Sequence, residues 1–283
     1  NDMYNPNGVE IGQIHEVVAG SKMRCYFSPT LFSSDVETTE ETLARTRIII
    51  EEILAYNDER FKVMVAPHAP YSCSKDLLKG SLKLAQELQL KLHIHVAETQ
   101  AENGMILERY GKRPLAFLKD LGYLEHDGVF AHGVELNERE IAELAVSNIH
   151  IAHNPISNLK LASGIAPVTD LVQTGVIVGL ATDSVASNNN LDMFEESRTA
   201  ALLQKMRTGD ATQFTIEQAL KTMTIEGAKA LGMDDQIGSL EVGKQADFLI
   251  IQPKGKVHLY PEENMLSHLI YAAKGNDVKD VYI

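Results

Sequence analysis

Five residues able to bind a metal or move a proton recur at one kind of place in this sequence. His68, His95, His132, His153 and Asp183 each stand at or just beyond the C-terminal end of a short apolar run. Taken singly, a strand-end histidine reads as a core or loop-capping residue and Asp183 as an Asx turn; their shared position is what suggests chemistry. Neutral imidazoles and a carboxylate are a donor set suited to Zn(II) or Fe(II). His95 and Glu98 form His-x-x-Glu, which puts a carboxylate three residues past a candidate ligand, where it can reach substrate without competing for the metal. Asp183, in Thr182-Asp183-Ser184, could hold the cation with one oxygen and accept a proton from the attacking water. His132, in Ala131-His132-Gly133, could hydrogen-bond that water, with the glycine letting the backbone turn tightly behind it. His68 lies in Pro67-His68-Ala69-Pro70, where two prolines fix φ on either side and would hold the imidazole rigidly toward a ligand. His153 opens His153-Asn154-Pro155-Ile156-Ser157-Asn158, whose Asn and Ser side chains read as bonding their own backbone in a structured loop at the mouth of a site. His93 sits deeper in its run than His95 and reads as a buried, hydrogen-bonded residue rather than a ligand.

The elements that must position these groups are parallel βα units. Apolar runs rich in β-branched residues, at 24–27, 62–66, 91–97, 128–131, 148–152 and 176–181, alternate with amphipathic segments, giving about six strands. Thr38-x-x-Glu41, Asn137-x-x-Glu140 and Thr215-x-x-Gln218 have the spacing of capping boxes, and Ser74 precedes a helical pattern carried by Leu77, Leu78, Leu82, Leu84, Ala85 and Leu88. Gly175 sits where a helix should stop before the strand at Val176. From Leu191 to about Leu231 the pattern is helical, and 238–252 reads as a β pair turning at Gly243-Lys244. A closed (β/α)8 barrel would bring all the strand ends to one mouth, where barrel enzymes keep their active sites, but it needs eight strands; an open doubly wound sheet tolerates six. The strand count alone does not separate the two architectures.

The composition narrows the function classes. The chain has 283 residues, enough for a large domain, and its formal charge of −13 offers no general attraction to nucleic acid or anionic lipid. Two cysteines, Cys25 and Cys73, cannot build a disulfide framework, which fits a reducing, cytoplasmic location. The apolar runs are far too short to span a membrane, and the opening Asn1-Asp2-Met3-Tyr4 has no signal-peptide character. The absence of an initiator Met suggests that the sequence starts inside a longer gene product.

Several motifs together resemble the amidohydrolase superfamily, specifically its 5-methylthioadenosine/S-adenosylhomocysteine deaminase and chlorohydrolase branch. They are Pro67-His-x-Pro-Tyr-x-x-Ser74, His95-x-x-Glu98-Thr99, Ala131-His132-Gly133, His153-Asn-Pro-x-Ser-Asn158, Thr182-Asp183-Ser184 and Gly238-Ser-Leu-Glu-x-Gly-Lys-x-Ala-Asp247, and they span essentially the whole chain. The resemblance implies a TIM-like (β/α)8 barrel over residues 1–235, lacking about its first two strands. It also implies that 236–283 form the C-terminal part of a composite β-sandwich. It implies one divalent metal, zinc before iron, held by His95, Asp183 and two histidines of a His-x-His upstream of this chain. By the same resemblance Glu98 carries protons to the substrate ring nitrogen and the departing amine, Asp183 takes the proton of the attacking water, His132 orients that water, and His68, with Glu98, contacts substrate. The implied reaction is hydrolytic deamination of an aminated N-heterocycle, a methylthioadenosine- or adenosine-type nucleoside or a related nucleobase, by a homo-oligomer with no nucleic-acid or membrane partner. Hydrolytic dechlorination of a triazine-like ring and an inactive truncated barrel are the alternatives. One departure bears on substrate: deaminases of this type hold the ribose and amino-acid portions with arginines after the third strand, and no arginine occurs from Thr30 through Ala44. A nucleobase, a nucleoside lacking the carboxylate and a triazine-like ring are therefore equally admissible.

Overall fold

A computed structural model describes residues 10–283. By their internal contacts they divide into two units: residues up to 96 with 101–130 and 147–149, and residues 97–100, 131–146 and 150–283.

In the first unit α1 (Ile11–Ser21) leads into β1 (Cys25–Tyr26), β2 (Thr30–Leu31), α2 (Thr39–Ala55), β3 (Phe61–Lys62), β4 (Ala66–Pro67), α3 (Lys75–Leu88), β5 (Leu92–Val96), α4 (Gln100–Tyr110), α5 (Pro114–Asp120) and β6 (Gly128–His132), whose last two residues are counted with the second unit. β1 pairs in parallel with β3, and β2 with β4. The apolar run that starts at Arg24 thus continues as two short ladders; Pro29, between them, has no N–H to give a neighbour. Parallel pairing carries on through the bridge of Val65 to Leu92, and the His93 backbone N–H donates to the Val65 carbonyl at 2.9 Å. α3 starts where its N-cap predicts, with Ser74 Oγ accepting from the Leu77 N–H, and it buries Leu77, Leu78, Leu82, Leu84 and Ala85. The Thr38/Glu41 capping box opens α2. Both faces of β5 are buried, as a parallel strand covered on two sides requires.

The second unit contains α6 (Glu138–Ala145), β7 (Ile149–His153), α7 (Pro155–Lys160), α8 (Val168–Gln173), β8 (Val178–Leu180), α9 (Val185–Asn188), α10 (Met193–Thr208), α11 (Ile216–Thr222), α12 (Ile225–Leu231), β9 (Phe248–Ile251), α13 (Met265–Tyr271) and β10 (Val278–Tyr282). The capping boxes of Asn137/Glu140 and Thr215/Gln218 are formed, and Gly175 follows α8 with φ of 89°. β7 pairs in parallel with β8, His153 opposite Leu180. All six apolar runs of the sequence therefore contain strand segments, in an α/β fold.

α12 packs closely on β8: a Cβ built on Gly179 would lie 3.0 Å from the Cα of Gly227. Backbone cannot yield as a flexible side chain can, so Gly179→Ala should destabilise the protein by about 1–3 kcal/mol. Chemical denaturation measures this; an unchanged midpoint would show that the packing relaxes freely.

The C-terminal region departs from the sequence reading. β9 does not fold back across Gly243 onto 238–242; it pairs antiparallel with β10, Phe248 opposite Tyr282. Residues 238–247 are turns and irregular chain. Their polar groups bond locally, Ser239 Oγ to Glu241 and Lys244 Nζ to Ser239 Oγ, while Leu240 and Val242 stay exposed. The apolar residues needed for a strand partner come instead from Val278 to Tyr282, far away in sequence. Among the described residues no helix is long and apolar enough to cross a membrane.

Candidate metal and proton-transfer site

In the first unit β5 presents His93 and His95, both buried. The His68 carbonyl oxygen accepts two hydrogen bonds, from the His95 backbone N–H and from His95 Nδ1, each at 2.9 Å. A carbonyl can only accept, so Nδ1 carries the proton and Nε2 is the lone-pair nitrogen of the neutral ring. His68 is fixed similarly. Ser72 Oγ donates to the Ala69 carbonyl at 3.3 Å and so accepts from His68 Nδ1 at 2.7 Å. Its ring lies 4.4 Å from that of Phe32 and 4.9 Å from that of His95. The nearby arginines are engaged elsewhere: Arg45 makes two hydrogen bonds to Glu37, at 3.0 and 2.9 Å, and Arg47 pairs with Glu87.

The remaining predicted residues belong to the second unit. Ala97, His132 and Asp183, at or just past the ends of β5, β6 and β8, all have positive φ, 53°, 75° and 61°. Left-handed backbone is uncommon for side chains with a Cβ and concentrates where a loop must aim a group against local preference. His132 Nδ1 donates to Asn158 Oδ1 at 2.8 Å, which makes Nε2 its lone-pair nitrogen. Glu98 Oε2 lies 3.9 Å from that Nε2, and Ser163 Oγ donates to Glu98 Oε1 at 3.4 Å. Asp183 is clamped by two hydroxyls: Ser157 Oγ and Ser187 Oγ each donate to its Oδ2 at 2.6 Å, leaving Oδ1 outside that pair of bonds.

The stretch after His153 is a helix, α7, rather than the expected self-bonded loop. Pro155 at its start is preset for the first helical turn, and the side chains of Ser157 and Asn158 reach Asp183 and His132 instead of their own backbone. His153 itself is buried with no hydrogen-bond partner on either ring nitrogen among the described residues. Burial, with His132 adding to it whenever that neighbour is protonated, pushes its pKa down to about 3, so the ring is neutral at ordinary pH.

Within the second unit, one donor atom of His132 lies within 4.8 Å of one of Asp183. An imidazole with its proton fixed on Nδ1 and a carboxylate with one oxygen tied to hydroxyls make a borderline N/O donor pair that fits a divalent cation such as zinc. His132 stands in this pair although its sequence role was only to orient water. Ser163, Ser187, Asn188 and Glu196 escaped the sequence reading. The available signal was Ser187, one helical turn past Asp183 in a segment opened by the N-cap Ser184.

The amidohydrolase family model matches residues 4–283, and the chain belongs to that family. It is 49% identical over 288 residues to a 5-methylthioadenosine/S-adenosylhomocysteine deaminase of Bacillus cereus, an alignment covering 100% of this chain and 65% of the relative. The chain thus spans 65% of the length of the curated relatives it matches. A crystal structure of an adenosine deaminase from Xanthomonas campestris with bound zinc superposes with a TM-score of 0.89 at 36% identity, covering 98% of this chain and 63% of that one. An atrazine chlorohydrolase from Arthrobacter aurescens complexed with zinc shares the fold at 24% identity, with a TM-score of 0.85 over 96% of this chain and 63% of its own.

Proposed function

We propose that this protein is a metal-dependent aminohydrolase that removes the amino group of an aminated N-heterocycle and releases ammonia, with a methylthioadenosine- or adenosine-type nucleoside as the leading substrate. The observation that carries this reading is the His132 and Asp183 donor pair of the second unit, with Glu98 Oε2 only 3.9 Å from His132 Nε2. Identity to a deaminase and to a zinc-bound adenosine deaminase supports it. In this reading the parallel strands belong to a (β/α)8 barrel over 1–235, residues 236–283 contribute to a small β-sandwich, and the chain assembles as a homo-oligomer.

His95 and Asp183 would hold one divalent cation, zinc before iron, together with two histidines that the resemblance puts in a His-x-His outside these residues. A bound cation of this kind supplies a water acidified towards a pKa of roughly 7. Asp183 takes one proton of the attacking water, and His132, its tautomer fixed by Asn158, orients the oxygen. As that oxygen bonds to the ring carbon, Glu98 protonates the adjacent ring nitrogen. Ammonia leaves readily only once its nitrogen is protonated, so a second proton delivered through Glu98 lets the carbon–amine bond break. One water proton ends on the ring and one on ammonia. His68 contacts the substrate.

The zinc-replete protein should release ammonia from adenosine or methylthioadenosine. A strong chelator should abolish that release, and added zinc should restore it. Guanine- and cytosine-type rings and a chlorinated triazine, followed by ammonia and by chloride, define the ring and the leaving group. Failure to turn over any of them with stoichiometric zinc bound would sink the proposal.

A further inference from the structure

Glu196, in the first turn of α10, is completely buried, and its two carboxylate oxygens serve two different segments. Oε2 accepts from the Ile156 backbone N–H at 3.2 Å, in the first turn of α7. Oε1 accepts from Nδ2 of Asn188, the last residue of α9, and the same Nδ2 donates to the Thr182 carbonyl at 2.6 Å. Both segments carry the clamps of the site. α7 bears Ser157 and Asn158, which hold Asp183 and His132, and α9 bears Ser187, the second hydroxyl on Asp183.

Neither segment can hold its own conformation. α7 has six residues and α9 four, well below the length at which a helix is stable without tertiary support. The first N–H groups of α7 have no intrahelical acceptor, and Asn154 offers no side-chain cap. Glu196 supplies the missing acceptor from the 16-residue helix α10, itself capped by Asp192 through the Phe194 N–H at 2.9 Å. A long anchored helix therefore fixes two short ones through one carboxyl group.

We infer that Glu196 is a positioning residue of the site: by bridging Ile156 and Asn188 it sets α7 and α9 so that Asp183 and His132 are presented in the geometry a divalent cation and the attacking water require. This rests on the metal-site reading above, and its test separates the two.

Glu196→Gln preserves shape but replaces one acceptor oxygen with an amide NH2 that cannot accept from either donor. Three readouts follow. Amide hydrogen exchange at 156–158 and 187–189 should accelerate at least about tenfold in Glu196→Gln, while β8 and α12 exchange as in the unsubstituted chain. Zinc affinity, by competition with a chromogenic chelator, should fall by roughly 10–100-fold, the range for partners that orient metal ligands, and any deaminase activity should lose kcat with little change in KM. Unchanged exchange and unchanged zinc affinity in folded Glu196→Gln would overturn the inference. Failure of the unsubstituted protein to bind zinc would overturn the metal reading instead, and the exchange comparison would still decide the clamp. If Glu196→Gln does not fold, Glu196→Asp gives the same comparison: it keeps the charge but is one methylene too short to span both donors.

Discussion

Glu98→Gln should lower kcat for ammonia release by roughly two to four orders of magnitude while zinc content stays at the level of the unsubstituted protein, the range expected when a positioned general acid–base is removed. The amide is nearly isosteric and can still accept the Ser163 hydroxyl that reaches Oε1 at 3.4 Å. What it cannot do is carry a proton. In the proposed cycle Glu98 acts twice, at the ring nitrogen and at the leaving amine, so no other residue of the site makes good its loss. KM should move much less than kcat, because the substitution removes an interaction made in the transition state rather than ground-state binding. Steady-state kinetics with parallel elemental analysis measures this. A kcat within tenfold of the unsubstituted enzyme would remove Glu98 from the proton path and shift attention to His132, whose Nε2 is 3.9 Å away.

The parts of the molecule legible in the sequence are those governed by short-range rules. Strand runs were readable because parallel strands buried on both faces, such as Leu92–Val96, are continuous in apolar residues. Helix starts were readable because a capping box involves residues three apart, as at Thr38/Glu41 and Asn137/Glu140. The strand-end places of His95, His132 and Asp183 were readable because each directly follows or closes an apolar run. Illegible were the interactions that depend on which distant segment comes alongside. The partner of β9 is β10, nearly thirty positions downstream, and nothing local in 238–247 announces that this stretch is passed over. Ser157 and Asn158 sit in the expected motif, but short polar side chains beside a proline read as self-bonding until the fold shows Asp183 and His132 within reach. Glu196 looks like one more acidic residue in the first turn of a helix, favourable to the helix dipole and unremarkable, until burial removes that explanation.

Asp183→Asn should abolish turnover by a different route and lower zinc affinity by at least about a hundredfold, beyond the 10–100-fold typical of residues that merely orient a ligand. Both serine hydroxyls donate to Oδ2, at 2.6 Å, so the favoured orientation of the introduced asparagine keeps its carbonyl oxygen there and turns its NH2 to the position of Oδ1. The clamp survives, and the atom offered to a cation becomes a donor with no lone pair to give. The protein should therefore stay folded, with a cooperative unfolding transition like that of the unsubstituted chain, yet come through dialysis with substoichiometric zinc. The contrast with Glu98→Gln isolates the two halves of the mechanism, since one variant keeps the metal and loses the proton carrier while the other loses the metal with the proton carrier intact. Zinc bound at full stoichiometry in Asp183→Asn, with chelator competition unchanged, would show that Asp183 is held by Ser157 and Ser187 for some purpose other than ligation, and the donor set would have to be redrawn without it.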